Sequence, residues 1–160
     1  MSTLFTQALI GYEPIVDRQR NALAMRVTVA PRDAQVNMAA IYREMLAHRA
    51  GTGGKIALRS QAAIDEELLE LEPSKELWLE IPASLVESEV GQALVNRLHA
   101  AGFQMMLGGR PEAPLQAELV AAFRLSIIHV DDDRRLQQPL LQAMQAQSTF
   151  RRSIPHVNEG

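Results

Sequence analysis

The stretch from Glu76 to Gly109 constrains the fold more than any other part of the chain. It opens with the apolar run Leu77–Ile81, continues through a segment with helical periodicity, and ends in a second apolar run, Phe103–Leu107. The middle segment, residues 84–101, repeats its apolar residues at steps of three and four, which predicts a helix with one apolar face. Gly102 stands where that helix would end. A strand, a helix and a strand at this spacing predict a parallel βαβ unit.

The rest of the sequence continues this alternation after an initial hairpin. Leu9–Val16 and Ala22–Val29 predict two strands joined by a short polar turn, and therefore an antiparallel pair. The further predicted elements are a helix from about 31–33 to 50, a strand at 55–58, an acidic helix at 62–71, a helix at 115–122, a strand at 125–130, a helix at 134–147 and a last strand at 151–157. Such alternation predicts an α/β fold with a largely parallel sheet.

Composition narrows the class of protein. At 160 residues the chain is expected to form a single domain, residues 1–160. Its net charge of −3 gives no electrostatic signal for nucleic acid or an anionic membrane. The absence of cysteine excludes disulfides, cysteine-ligated zinc and thiol catalysis. No apolar run approaches the ~18 residues of a membrane span, so a cytoplasmic protein is expected, with neither nucleic acid nor membrane as a partner.

In parallel α/β folds, chemistry takes place at the carboxyl ends of the strands. The residues predicted to stand there are Arg26, Arg59, Glu80, Gly108, Gly109, His129 and Asp131. The glycine cluster at residues 51–54 is not assigned to this set, because a helix precedes it and Lys55 opens a strand. A phosphate-binding loop requires the opposite order, so a flexible loop is the preferred interpretation.

Four stretches together resemble a known family. Tyr12–Asp17 (YEPIVD) is similar to the motif YQPIVD, and Leu79–Pro82 is similar to a strand ending in LEI. Gly102–Leu107 and Ile127–Asp131 are similar to two later strands of the same family, in the same order. The chain thus resembles a degenerate EAL domain, the fold of cyclic-di-GMP phosphodiesterases, and most of all the divergent EAL domains that precede HDOD domains in bacterial signalling proteins. The resemblance implies a partial, incomplete (β/α) barrel that starts with a hairpin.

The resemblance also implies where catalytic groups would stand. EAL phosphodiesterases hold two divalent metal ions with Asp, Glu and Asn side chains, which activate water for phosphoryl transfer. The family's site positions fall on Glu13, Arg26, Arg59, Glu80, Gly108, Gly109, His129 and Asp131, and of these only Glu80 and Asp131 keep the family's side chain. Glycine supplies no ligand and the positive charge of arginine opposes binding of a cation. The chain is therefore expected to bind no metal ion, to use no cofactor and to catalyse no hydrolysis. An ion pair between Glu80 and Arg26 or Arg59 is predicted instead.

Several interpretations of single residues stay open at this point. Glu80 is a metal ligand or, preferably, half of a salt bridge, and His129 is a general base or fills the space of a lost lysine. Residues 131–133, three aspartates, form a cation site or, preferably, the solvated N-cap of a helix. Arg26 and Arg59 are also candidates for a phosphate clamp.

The preferred function is that of a non-catalytic, EAL-like regulatory protein that binds another protein in a bacterial signalling pathway. The argument is that an incomplete barrel leaves sheet edges or apolar faces uncovered, and a second copy, a partner or an HDOD-like domain of a longer chain would cover them. The alternatives are a cyclic-di-GMP sensor that binds without hydrolysis and a weak cyclic-di-GMP phosphodiesterase.

Overall fold

The structure is a computed structural model that describes residues 3–48, 54–129 and 149–153. A short helix, α1 (Thr3–Thr6), precedes the hairpin of β1 (Ala8–Val16) and β2 (Ala22–Pro31). The remaining elements are α2 (Met38–His48), β3 (Ile56–Ser60), a 3-10 helix (Glu66–Glu70), β4 (Leu77–Pro82), a second 3-10 helix (Ala83–Glu87), α3 (Glu89–Ala101), β5 (Met105–Gly108), α4 (Ala117–Ala121), β6 (Leu125–His129) and β7 (Thr149–Ser153). The predicted α/β alternation is confirmed.

The strands form one curled sheet in chain order. β1 is antiparallel to β2, as the hairpin pattern predicted, whereas each pair from β2 to β7 is parallel. The described residues contribute seven strands to the barrel, one fewer than the eight of a complete (β/α) barrel, which agrees with the expected partial barrel.

The sheet is nevertheless closed, because β7 pairs with both β6 and β1. The expectation that missing strands would leave sheet edges uncovered is therefore wrong at this closure, whereas the alternative, an uncovered apolar face, is present on β1 and β2 at Ile10, Tyr12 and Met25. In the described part of the chain the closing ladder is short: β1 pairs with β7 at Ile15 and Val16, whereas five residues of β6 pair with β7. Within the described residues, β2 is the one ladder neighbour of β1 from Ala8 to Pro14.

Side chains that alternate along the strands build two separate cores. One lies between the outside of the sheet and the helices, and β4 contributes Leu77, Leu79 and Ile81 to it. The other fills the barrel, where the alternating residue Trp78 is only 4% exposed. Its remaining buried members are Ile15, Ala24, Ala57, Met106, Leu125 and Ile127. The same alternation turns Glu80 inward, above Trp78 along β4.

Several predicted helix boundaries need correction. The first long helix begins at Met38 rather than near residue 33, because β2 continues to Pro31 and the side chain of Asn37 accepts a hydrogen bond from the Ala40 N–H. The acidic segment 62–71 forms only the 3-10 helix Glu66–Glu70, which Asp65 caps. The predicted helix 115–122 is the shorter α4.

The helix of the central βαβ unit is interrupted at Ser88. This residue has an extended backbone, and its hydroxyl accepts a hydrogen bond from the Gly91 N–H at 3.1 Å, so α3 starts anew at Glu89. Val90, predicted on the apolar face, is consequently 82% exposed. Gly102 ends α3 in the left-handed conformation with φ of 100°, as predicted.

Smaller shifts affect the strands. β3 lies one to two residues later than predicted, β5 starts at Met105 rather than Phe103, and β7 starts two residues before the predicted last strand. The predicted helix at 134–147 lies outside the described residues.

Candidate functional site

Several of the predicted site residues lie close together near the carboxyl ends of the parallel strands. Arg26 on β2 stands opposite Glu13 of β1, and Glu80 on β4 points into the barrel. Gly108 ends β5 and pairs with Pro82 at the end of β4. Because the strands are parallel from β2 onward, these residues meet at one end of the barrel.

The Arg26 guanidinium lies between two carboxylates. Its Nε donates a hydrogen bond to Glu80 Oε2 at 2.6 Å, one terminal nitrogen donates to Glu80 Oε1, and the other donates to Glu13 Oε1. Arg26 is 3% exposed and Glu80 is 5% exposed. The predicted ion pair at Glu80 is thus present, it is bidentate, and it is buried.

The charges around this ion pair balance. Two carboxylates and one guanidinium leave one negative charge, and Arg59 Nε lies 4.0 Å from Glu80 Oε1 on the solvent side. Burial alone would lower the pKa of Arg26, but its hydrogen bonds with Glu80, the attraction of that carboxylate and the same interactions with Glu13 raise the pKa above its ordinary value. Arg26 therefore remains charged from neutral to moderately alkaline pH.

Gly108 provides the space that the Glu80 side chain occupies. A Cβ atom at position 108 would overlap Glu80 Oε1 and lie only 2.8 Å from its Cγ and 2.9 Å from its Cδ. Real Cβ atoms do not approach other atoms so closely. The lack of a side chain at 108 is therefore a packing requirement of the buried ion pair.

Gly109 has a different reason to be glycine. Its φ is 88°, a left-handed conformation that other residues adopt only with strain, and its N–H donates to the Ile127 carbonyl at 3.2 Å. The nearest atom to a Cβ built there is the Cβ of Ala83 at 3.8 Å, so space is available. Gly108 is fixed by close packing and Gly109 by its backbone conformation.

A cavity of about 550 Å³ opens above the ion pair. It is lined by Arg26, Arg59, Ser60, Gln61, Ala62, Ile64, Glu80, Pro82, Ser84, Leu85, Gly108 and Gly109. The Arg59 side chain is 47% exposed and presents a cation to this cavity, whereas Arg26 is enclosed by its carboxylates. The cavity combines one accessible guanidinium with apolar walls.

The donor set does not suit a divalent metal ion. Both oxygens of Glu80 are engaged by Arg26, so a cation there would have to displace a buried guanidinium. Across the described ranges, no cluster of three or more His, Cys, Asp or Glu side chains could hold a metal ion.

The structure places the other predicted site residues as follows. His129 is the last residue of β6, whereas Asp131 and the aspartate run 131–133 lie outside the described residues, as does most of the glycine cluster 51–54. The second carboxylate on Arg26, from Glu13, was not predicted, although the hairpin register sets the two residues opposite each other. Counting outward from the turn would not have found this pair, because a register shift between Ile15 and Val16 moves Glu13 from a position opposite Met25 to one opposite Arg26.

Comparisons with known proteins add a likeness of fold. No protein-family profile matches the sequence, and no curated protein matches it significantly. Among solved structures, the chain is similar to the crystal structure of the EAL-like domain protein YdiV, with 14% identity and a TM-score of 0.49 over 88% of this chain and 76% of that one.

None of the helices in the described part of the chain is long and apolar enough to span a membrane.

Proposed function

We propose that this chain is a non-catalytic, EAL-like regulatory protein that acts by binding another protein in a bacterial signalling pathway. The observation that carries the proposal is the buried Arg26 between Glu13 and Glu80. A two-metal phosphodiesterase needs carboxylate oxygens that are free to converge on cations. Here the oxygens of Glu80 are bound to a guanidinium that stays charged, so the site is suited to holding the barrel together.

An exposed apolar surface supports a protein as the ligand. Ile10 and Tyr12 of β1 alternate on the outer face of the hairpin, and Met25 of β2 lies on the same face. They are 37%, 57% and 43% exposed, respectively. Leu9, on the opposite face of β1, is 70% exposed. Tyrosine and methionine are enriched at protein interfaces, and we call Ile10, Tyr12 and Met25 the hairpin surface.

The test compares binding and hydrolysis in the same variants. Tyr12→Ser/Met25→Ser should abolish capture of a partner from the source lysate, whereas Val90→Ser, which removes an even more exposed apolar side chain from α3, should leave it unchanged. Wild-type protein should not hydrolyse cyclic-di-GMP with Mg²⁺ or Mn²⁺. Turnover that disappears in Glu80→Ala would instead establish an enzyme, and equal capture by both surface variants would remove the hairpin surface from the proposal.

Mass in solution separates the kinds of partner. A second copy would give a dimer that Tyr12→Ser/Met25→Ser converts to a monomer, whereas a different protein leaves the isolated chain monomeric. An HDOD-like domain, if the chain belongs to a longer protein, would bind when supplied separately.

A second candidate function is a cyclic-di-GMP sensor without hydrolysis. The cavity above the ion pair favours it, because the half-exposed Arg59 could bind a phosphate. Calorimetry with cyclic-di-GMP in the absence of metal tests this function. Heat that is lost in Arg59→Gln would support the sensor, and neither heat nor a thermal shift at high ligand concentration would eliminate it.

A further inference from the structure

The amino ends of the parallel strands carry an excess of basic side chains. Because β2 to β7 run parallel, the segments that precede them lie at one end of the barrel, opposite the cavity, and the hairpin turn 17–21 lies there too. In the described part of these segments, five exposed basic residues form what we call the basic face: Arg18, Arg20, Lys55, Lys75 and Arg124. Three acidic residues, Asp17, Glu72 and Glu76, stand in the same segments. This end is therefore positive on a chain whose net charge is −3.

Two of these cations converge on one aromatic ring. Lys55 Nζ lies 5.1 Å and the Arg124 guanidinium carbon 5.6 Å from the centre of the Trp78 ring. Both residues are exposed, whereas Trp78 is 4% exposed, so the two side chains cover the lower end of the barrel interior. Among the described residues neither cation is paired with a carboxylate; Arg124 donates a hydrogen bond to the neutral Gln104 amide at 2.7 Å.

The nearest turn shows a second anomaly. Arg20 has φ of 67° and is the one non-glycine residue with positive φ in the described chain. Glycine or asparagine is normal at such a position. The Asp17 carboxylate accepts hydrogen bonds from the Gln19 and Asn21 N–H groups inside the same turn. A strained backbone thus carries an exposed cation at the end of the barrel where other cations already gather.

We propose that the basic face binds an acidic segment of another polypeptide, whose Asp or Glu carboxylates pair with Lys55 and Arg124. A carboxylate is a stronger partner for either cation than the face of an indole ring. Glu72 and Glu76 on the same face, and the negative charge of the whole chain, disfavour a continuous polyanion such as nucleic acid. The proposal does not depend on the proposed function, because the cavity and the hairpin surface contribute none of its residues.

Trp78 supplies the measurement, since it is the sole tryptophan of the chain and both cations touch its ring. The probe is an eight-residue oligoglutamate peptide, with the oligoglutamine peptide of equal length as its neutral counterpart. Binding is followed by Trp78 emission and by calorimetry at low and raised salt. The variant Lys55→Gln/Arg124→Gln is compared with Arg43→Gln/Arg97→Gln, which removes two exposed charges from the outer helices.

Wild-type protein should bind oligoglutamate and not oligoglutamine, with an affinity that falls as salt is added. The Lys55/Arg124 variant should bind at least about fivefold more weakly, while the Arg43/Arg97 variant keeps most of the affinity. Three results would overturn the proposal: no binding of oligoglutamate, an equal loss in both double variants, or tighter binding of single-stranded oligothymidine than of the peptide. Lys55→Gln alone, which leaves the Arg124 hydrogen bond intact, should show a smaller loss and guards against misfolding of the double variant.

Discussion

The two ends of the barrel interior handle positive charge in opposite ways. At the carboxyl end, Arg26 is 3% exposed and is held by two carboxylates. At the amino end, Lys55 and Arg124 remain exposed and lie against Trp78. A buried cation must be paired because desolvation costs several kcal/mol, whereas a cation that keeps its water can rest its stem on apolar surface. At the carboxyl end the buried Arg26 stabilises the fold through its ion pairs, whereas at the amino end Lys55 and Arg124 stay exposed to solvent.

The largest expected effect concerns the buried cation. Arg26→Met leaves the carboxylates of Glu13 and Glu80 facing each other without a counter-charge and should lower the free energy of unfolding by about 3–5 kcal/mol. Arg59→Met removes a half-exposed guanidinium 4.0 Å from the same carboxylate and should cost below about 1 kcal/mol. Urea unfolding followed by Trp78 emission measures both. Equal costs would mean that burial does not distinguish the two arginines.

The raised pKa of Arg26 determines how its contribution to the free energy of unfolding depends on pH. A group whose pKa is raised on folding contributes stability that is complete below its unfolded pKa and is lost only as the pH rises through the folded value. The contribution of the guanidinium should therefore stay constant from neutral to moderately alkaline pH.

Alanine substitutions at the two neighbouring glycines distinguish the cost of a steric clash at 108 from the cost of backbone strain at 109. Gly108→Ala should cost about 1–3 kcal/mol because its Cβ displaces the Glu80 carboxylate, and the cost should largely vanish in a Glu80→Ala background. Gly109→Ala should cost about 1–2 kcal/mol from its left-handed backbone, and Glu80→Ala should not change that cost. A double-mutant cycle measures the coupling. Additive effects at 108 would show that Glu80 can move aside freely.

Hydrophobic periodicity predicted the order of the elements and the end of the barrel at which the site lies. Alternation along β4 is enough to place Trp78 and Glu80 on one face and Leu79 on the other. The ion pair of Glu80 was predicted from charge, because a carboxylate and two arginines assigned to the same end of the barrel attract each other. The starts of α2 and α3 are set by the capping side chains of Asn37 and Ser88. Hydrophobic periodicity does not detect such capping hydrogen bonds, so these helix starts were not predicted.

What the sequence did not predict is proximity across several strands. That Gly108 lies under the Glu80 side chain depends on the stagger of β4 against β5, in which Gly108 pairs with Pro82. That Lys55 and Arg124 share one ring depends on the order and curvature of the sheet from β3 to β6, because residues 55 and 124 are far apart in the chain. The closure of the sheet depends on β7, and the two described residue pairs between β7 and β1 follow no motif in the sequence.

At the amino end, the strained turn should respond in the opposite sense to the buried arginine. Arg20→Gly relieves the left-handed backbone but adds freedom to the unfolded chain, so the net gain in the free energy of unfolding should be about 0.5–1 kcal/mol. The same variant should weaken binding of oligoglutamate. A loss of stability would show that the Arg20 side chain makes contacts that outweigh its backbone strain.

The smallest expected effect tests whether the exposed cations matter to the fold at all. Lys55→Met keeps most of the side-chain volume over Trp78 and removes the charge, so it should cost only about 0.5 kcal/mol, the value of a cation–π contact at an exposed site. Lys75→Met removes a neighbouring exposed charge and should change neither stability nor Trp78 emission. If Lys55→Met cost as much as Arg26→Met, the cation at the amino end would be a structural element like its buried counterpart, and its availability to an acidic partner would lose its physical basis.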